Sequence, residues 1–95
     1  MQVAKADLVH IKNYIEQDSY FYANKTINKI NEKISNLLIF PYMGRSVPEF
    51  DSQILRELIY KSYRIIYYLN SDTIYILKIL HHSQDIFKFK SDLFQ

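Results

Sequence analysis

Apolar positions in the first third of the chain recur at helical intervals. Ala4, Leu8, Ile11 and Ile15 are separated by steps of four, three and four, which draws one stripe along a helix. Lys5, Asp7, Lys12, Asn13 and Glu16 lie mostly off that stripe, and Lys12 and Glu16 can pair weakly across one turn. Asp18-Ser19 reads as a break followed by a new N-cap, because both side chains carry an oxygen that can accept from free backbone amides. Ala23, Ile27, Ile30, Ile34 and Leu37 then repeat the pattern and predict a second helix from about residue 20 to about residue 39. Its other side carries Asn24, Lys25, Asn28, Lys29, Glu32, Lys33 and Asn36. Two amphipathic helices joined by a short turn form an antiparallel hairpin, and each stripe still has to bury itself against another layer.

Phe40-Pro41 closes the second helix, since proline disfavours helical geometry in the residue before it. Pro41 to Pro48 reads as a loop holding both prolines and the only glycine, Gly44, for which a positive φ is expected. Beyond Ile54 the period changes. Leu55 to Tyr60, Tyr63 to Leu69 and Thr73 to Leu80 are dense in β-branched and aromatic residues, and Asn70-Ser71-Asp72 is a turn cluster. The spacing predicts an antiparallel meander with one hairpin centred on Ser71. These strands are apolar on both faces, so the helices are expected on one and the tail or a partner on the other. The tail, Ser83 to Gln95, fits either a short helix or extended packing. The fold class is therefore α+β, a helical hairpin packed on a twisted antiparallel sheet of three to four strands, in a single domain over residues 1–95.

Composition changes the picture only slightly. Hydrophobic residues make up 48% of the chain and aromatic residues 16%, which excludes a disordered tail. The net charge of +2 is compatible with nucleic acid or with an acidic partner and specifies neither. With no cysteine there are no disulfides or thiolate metal sites, and no cofactor is expected. Met1-Gln2-Val3-Ala4-Lys5 has no apolar signal region, and no run of residues approaches the length of a membrane span, so a cytoplasmic protein is expected.

Five pieces occur in a set order: Ala4-x-x-Asp7-Leu8; the loop F-P-x-x-G-R-x-V-P-E from Phe40 to Glu49; Arg56-Glu57-Leu58; Y-R-I-I-Y from Tyr63 to Tyr67; and I-L-H-x-S-x-D-I from Ile79 to Ile86. Together they resemble the RelE/ParE superfamily, the toxins of bacterial type II toxin–antitoxin pairs. The resemblance implies growth inhibition, and a cognate antitoxin whose amphipathic, acidic-tinged segment covers apolar patches on the sheet and the hairpin. It also implies a β-strand before the first helix. Ala4 already aligns with the start of that helix, so the strand is expected to be absent or a stub. The sheet edge this leaves would be filled by a partner strand or by residues from an upstream start, and it invites homodimers.

RelE-like members cut mRNA on the ribosome, which needs a base for the 2′-hydroxyl proton, a cation for the phosphate and an acid for the leaving oxygen. Mapped by motif, that set is Glu49, Arg56, Arg64 and His82, with Arg45, Glu49, Arg56 and His81 as candidates for contacting a target or antitoxin. Plainer roles stand beside these. Arg56 and Glu57 are neighbours on a strand and point to opposite faces. Arg64 suits a structural ion pair as well as a phosphate clamp. Arg45 and Glu49 can brace the loop, His10 sits at a helix boundary, and adjacent His81 and His82 are not expected to face one site. With no Cys and no i,i+4 His pair, no zinc site is expected. ParE-like members poison DNA gyrase by binding. The G-R-x-V-P-E and L-H-x-x-x-D-I signatures lean that way, and so does the concentration of lysines in helix two, away from the loop and strand arginines. The gyrase reading is preferred, with the ribosome-dependent endoribonuclease as alternative and an inactive binding module as a third.

Overall fold

The computed structural model describes residues 4–94. Helix α1 spans Lys5–Glu16 and α2 spans Tyr20–Asn36. Ser19 caps α2, its hydroxyl accepting from the Tyr22 amide at 3.1 Å, while Asp18 takes no part. The second helix ends earlier than its apolar pattern predicts. Leu37, Leu38 and Ile39 each bond the carbonyl three residues back, so the chain tightens into a turn before Pro41.

Four strands follow in the order of the chain: β1 Arg45–Ser46, β2 Leu55–Tyr60, β3 Tyr63–Asn70 and β4 Thr73–His81, all antiparallel to their neighbours. Strand β1 comes from the segment read as loop. Two residues of it pair with β2, because side chains from β2 and β3 hold the loop against the sheet, as described below. The β3–β4 turn is centred on Ser71-Asp72, as the sequence predicts, and a matching two-residue turn at Lys61-Ser62 joins β2 to β3. In each turn the first residue takes a positive φ, 52° at Lys61 and 55° at Ser71. A β-bulge at Leu77 shifts the register, so that Ile66 opposes Lys78 while Tyr67 opposes Ile76. The expected loss of the family's opening strand falls on residues 1–3, outside the described residues.

The helices cover one face of the sheet. Ile11, Ile30, Ile34 and Leu37 pack on Leu58, Ile65, Tyr67, Ile76 and Ile79. The tail covers the other. Residues Ile86–Phe89 form a 3₁₀ turn that runs into α3, Lys90–Leu93, and Ile86 and Leu93 bury against Val47, Leu55, Ile66 and Leu80. Phe50 sits edge-on to Phe87 and Phe94 at the rim of this second core.

Asp7, which the helical pattern places on the polar side, is partly buried and ties α1 to the outer strand. Its carboxylate accepts from the Ile79 amide at 2.9 Å and from Lys78 Nζ at 3.0 Å. One donor of the β4 edge is thereby satisfied by a helix side chain.

Candidate functional site

Strands β1 to β3 and the loop after β1 bring four charged side chains together on the face covered by the tail. Alternation along β2 puts Leu55, Glu57 and Ile59 on one side, and the register sets Glu57 opposite Ile66 and Arg45 opposite Glu57. Glu57 is only 1% exposed. A carboxylate this deep requires cations, and two supply them. Arg64 donates from Nε at 2.7 Å and from Nη2 at 3.3 Å, and Arg45 Nε lies 3.3 Å away.

Arg64 also forks onto Glu49, Nη1 to Oε2 and Nη2 to Oε1, both at 2.7 Å. Its guanidinium is thus bonded four times to two carboxylates. The Arg64 hydrogen bonds hold the Glu49 carboxyl below its ordinary value of 4.5, and the Glu49 bonds in turn push the Arg64 guanidinium further toward its protonated form. This network clamps the loop after Pro48 to β2 and β3.

Arg56 faces the other way and does a different job. Its Nη1 donates to the Gly44 carbonyl at 2.7 Å and to the Tyr42 carbonyl at 3.4 Å, and its guanidinium lies 5.2 Å from the centre of the Tyr42 ring. Tyr67, fully buried in β3, completes the staple: its hydroxyl accepts from the Gly44 amide at 2.9 Å and donates to the Pro41 carbonyl at 3.0 Å. Burial raises the Tyr67 phenol above its ordinary value. The glycine is needed here for room rather than for a positive φ, which it does not adopt. A Cβ at Gly44 would stand 2.5 Å from the Tyr67 hydroxyl and 2.8 Å from the Glu57 carbonyl oxygen.

The histidines lie elsewhere. Tyr63 and His81 are register partners on the helix-covered face, their rings edge-to-face at 5.4 Å. They line a cavity of about 280 Å³ with His10, Ile11, Tyr14, Ser83 and Gln84. Burial raises the Tyr63 phenol above its ordinary value. His10, read from sequence as a boundary residue, belongs to this cavity. His81 Nδ1 takes the Ser83 amide at 3.1 Å and contacts the Ser83 hydroxyl at 2.7 Å. His82 does not line the cavity, yet its ring lies 4.4 Å from that of His81, because strand alternation ends at His81 and the chain turns. Among the described residues no hydrogen bond joins either histidine to Glu49, Arg56 or Arg64, and no three His, Asp or Glu side chains gather as a metal site.

The structure therefore assembles Arg45, Glu49 and Arg64, leaves Arg56 on the opposite face, and places the His81 and His82 rings against each other, contrary to the expectation from strand alternation, with no hydrogen bond to that cluster. Two key residues escaped the sequence reading, Glu57 and Tyr67. Glu57 had a signal: it shares a strand face with Leu55 and Ile59, and an acid there demands a cation. Tyr67 had none, being one aromatic among many in the same strand.

A helical hairpin laid on an antiparallel meander, with a loop fastened to the strands beside it, is the architecture of the small RelE/ParE-type toxins. The sequence model of the ParE toxin of the type II toxin–antitoxin system, parDE, matches residues 1–86, and the chain belongs to this family. No curated protein matches it. Among the described residues no helix is long and apolar enough to cross a membrane.

Proposed function

We propose that this toxin arrests growth by binding and inhibiting DNA gyrase, without cutting RNA. The observation that carries this reading is the pairing of Glu49 with Arg64, with Arg56 turned to backbone carbonyls and, among the described residues, the histidines bonded to neither. A general base works best with a pKa near the operating pH, whereas the Arg64 hydrogen bonds lower that of Glu49, and a phosphate clamp needs an open guanidinium fork. Both oxygens of Glu49 are held by Arg64, four N–H contacts of Arg64 are held by carboxylates, and Arg56 is bonded to backbone carbonyls. Among the described residues neither His81 nor His82 is hydrogen-bonded to Glu49, Arg56 or Arg64. These groups brace a binding surface.

As a member of its family the toxin has a cognate antitoxin. Leu38, Ile39, Phe40 and Tyr42, each more than 60% exposed at the end of α2, are the surface we assign to it. The setting for both partners is the cytoplasm.

The test is a paired assay on one preparation. The toxin is expected to block gyrase supercoiling while leaving message intact in a translation reaction, with inhibition surviving Glu49→Ala and His82→Ala and relieved by antitoxin. Codon-phased mRNA cleavage that disappears in Arg56→Ala overturns this reading in favour of a ribosome-dependent nuclease. Induced expression without growth arrest identifies an inactive binding module.

A further inference from the structure

The net positive charge of the protein is concentrated on one helix. The chain carries twelve Lys and Arg against ten Asp and Glu, a balance of +2. Helix α2 contains Lys25, Lys29 and Lys33 against Glu32 alone, three minus one, so the remainder of the chain is neutral. The positions are ordered. Ala23, Ile30 and Ile34 are buried against the hairpin and sheet, and Lys25, Lys29, Asn28 and Asn36 lie on the opposite, exposed surface, with Lys33 at its margin. Steps of four residues rise about 6 Å each, so Lys25 and Lys33 stand roughly 12 Å apart along the axis.

These cations are available. Lys29 touches Glu32 at 3.4 Å, a solvent-exposed pair of little strength, and among the described residues neither Lys25 nor Lys33 has a carboxylate within 4.0 Å. Arg64, by contrast, is 13% exposed and bonded to two carboxylates, and Arg56 donates to backbone carbonyls, while Arg45 touches Glu57 but stays exposed. Asn24 and Asn28 share the surface of Lys25 and Lys29 and supply amide donors, as phosphate contacts use. Phe21 lies under Lys25 at 6.0 Å and closes the stripe at the helix start.

We propose that the outward face of α2 binds the phosphate backbone of duplex DNA without regard to sequence, holding the toxin on the DNA that its target enzyme works on. The choice of duplex DNA rests on the gyrase reading; the charged surface does not. No base-reading side chain is required, so affinity is set by lysine–phosphate contacts and the counterions they release.

The experiment measures fluorescence anisotropy of a labelled mixed-sequence duplex of about 30 base pairs with toxin alone, and repeats it with a single strand and with purified antitoxin. Wild-type toxin is expected to bind the duplex in the micromolar range at low salt. Three lysine contacts give a log–log salt slope of about −2.7, a loss of about 40-fold in affinity between about 50 and 200 mM salt. The triple variant K25Q/K29Q/K33Q is expected to lose duplex binding while keeping the wild-type circular dichroism and antitoxin affinity. No duplex binding by wild type, equal binding by the triple variant, or preference for the single strand overturns the proposal. So does loss of antitoxin capture in a folded triple variant, which would make an acidic antitoxin segment the occupant. The two readings fail separately. A toxin that binds DNA but leaves supercoiling untouched sinks only the gyrase reading. One that inhibits supercoiling equally as the triple variant, without binding DNA, sinks only this one.

Discussion

Glu57 illustrates how a single buried charge organises its neighbours. Taking a carboxylate out of water is costly, and only close cations with hydrogen bonds offset it. Removing Arg64 leaves the Glu57 charge with only the exposed Arg45 beside it, whereas removing Glu57 leaves Arg64 still forked onto Glu49. Arg64→Ala is accordingly expected to lower the unfolding free energy by about 3 kcal/mol, within the range for breaking a buried pair, read as the shift of a denaturant midpoint. Glu49 adds a pH dependence of defined sign. Its folded carboxyl titrates below 4.5 because Arg64 holds it. The stability this contributes is fully present above 4.5 and is lost as the pH falls through the lowered value. The stability gap between wild type and Glu49→Gln should therefore narrow in acid, and a gap that stays constant from neutral pH to well below 4.5 would refute the pairing. Gly44 tests the loop staple. A methyl group added at this position would press against Tyr67 and the β2 backbone. Gly44→Ala should cost about 1–3 kcal/mol as overpacking.

At the level of elements, the turns and the helix dock differ in how well sequence serves structure. Lys61 and Ser71 hold positive φ without being glycine or asparagine, a conformation costing roughly 1 kcal/mol for such residues. Lys61→Asn and Ser71→Asn are each expected to raise stability by a few tenths of a kcal/mol, since asparagine tolerates this region better. Asp7 works in the other direction. It gives β4 the acceptor that an edge strand lacks and pairs with Lys78. Asp7→Ala should cost about 1.5–3 kcal/mol, the range for a charge-assisted hydrogen bond, and hydrogen exchange should quicken at the Ile79 amide before other β4 amides. Unchanged protection there would show that α1 docks through its apolar stripe alone.

For the whole molecule, the sheet is a middle layer with a core on each side. The hairpin seals one and a short tail seals the other. Ile86 and Leu93 are each worth roughly 1.5–3 kcal/mol when fully buried. Their joint loss, about 3–6 kcal/mol, reaches the lower end of the total stability of a small domain, about 5–15 kcal/mol. Truncation after Gln84 should therefore give a protein that aggregates or fails to unfold cooperatively, although the family match itself runs only to residue 86.

Much of this architecture was written in local pattern. The 3.6-residue stripes from Ala4 and Ala23, the apolar strands and the turn at Ser71 follow from periodicity and from residue preferences, which depend only on near neighbours. Those same runs required a cover on both faces of the sheet. What sequence left open was decided by contacts between distant segments. Whether the tail or a partner seals the second face, whether Asp7 meets solvent or a strand edge, and whether Arg64 is free or bound depend on which side chains the folded sheet brings within about 3 Å of one another, the reach of a hydrogen bond. Glu49, Glu57 and Arg64 are separated by loops and turns whose geometry no spacing rule encodes, so their pairing appears only once the strands are in register.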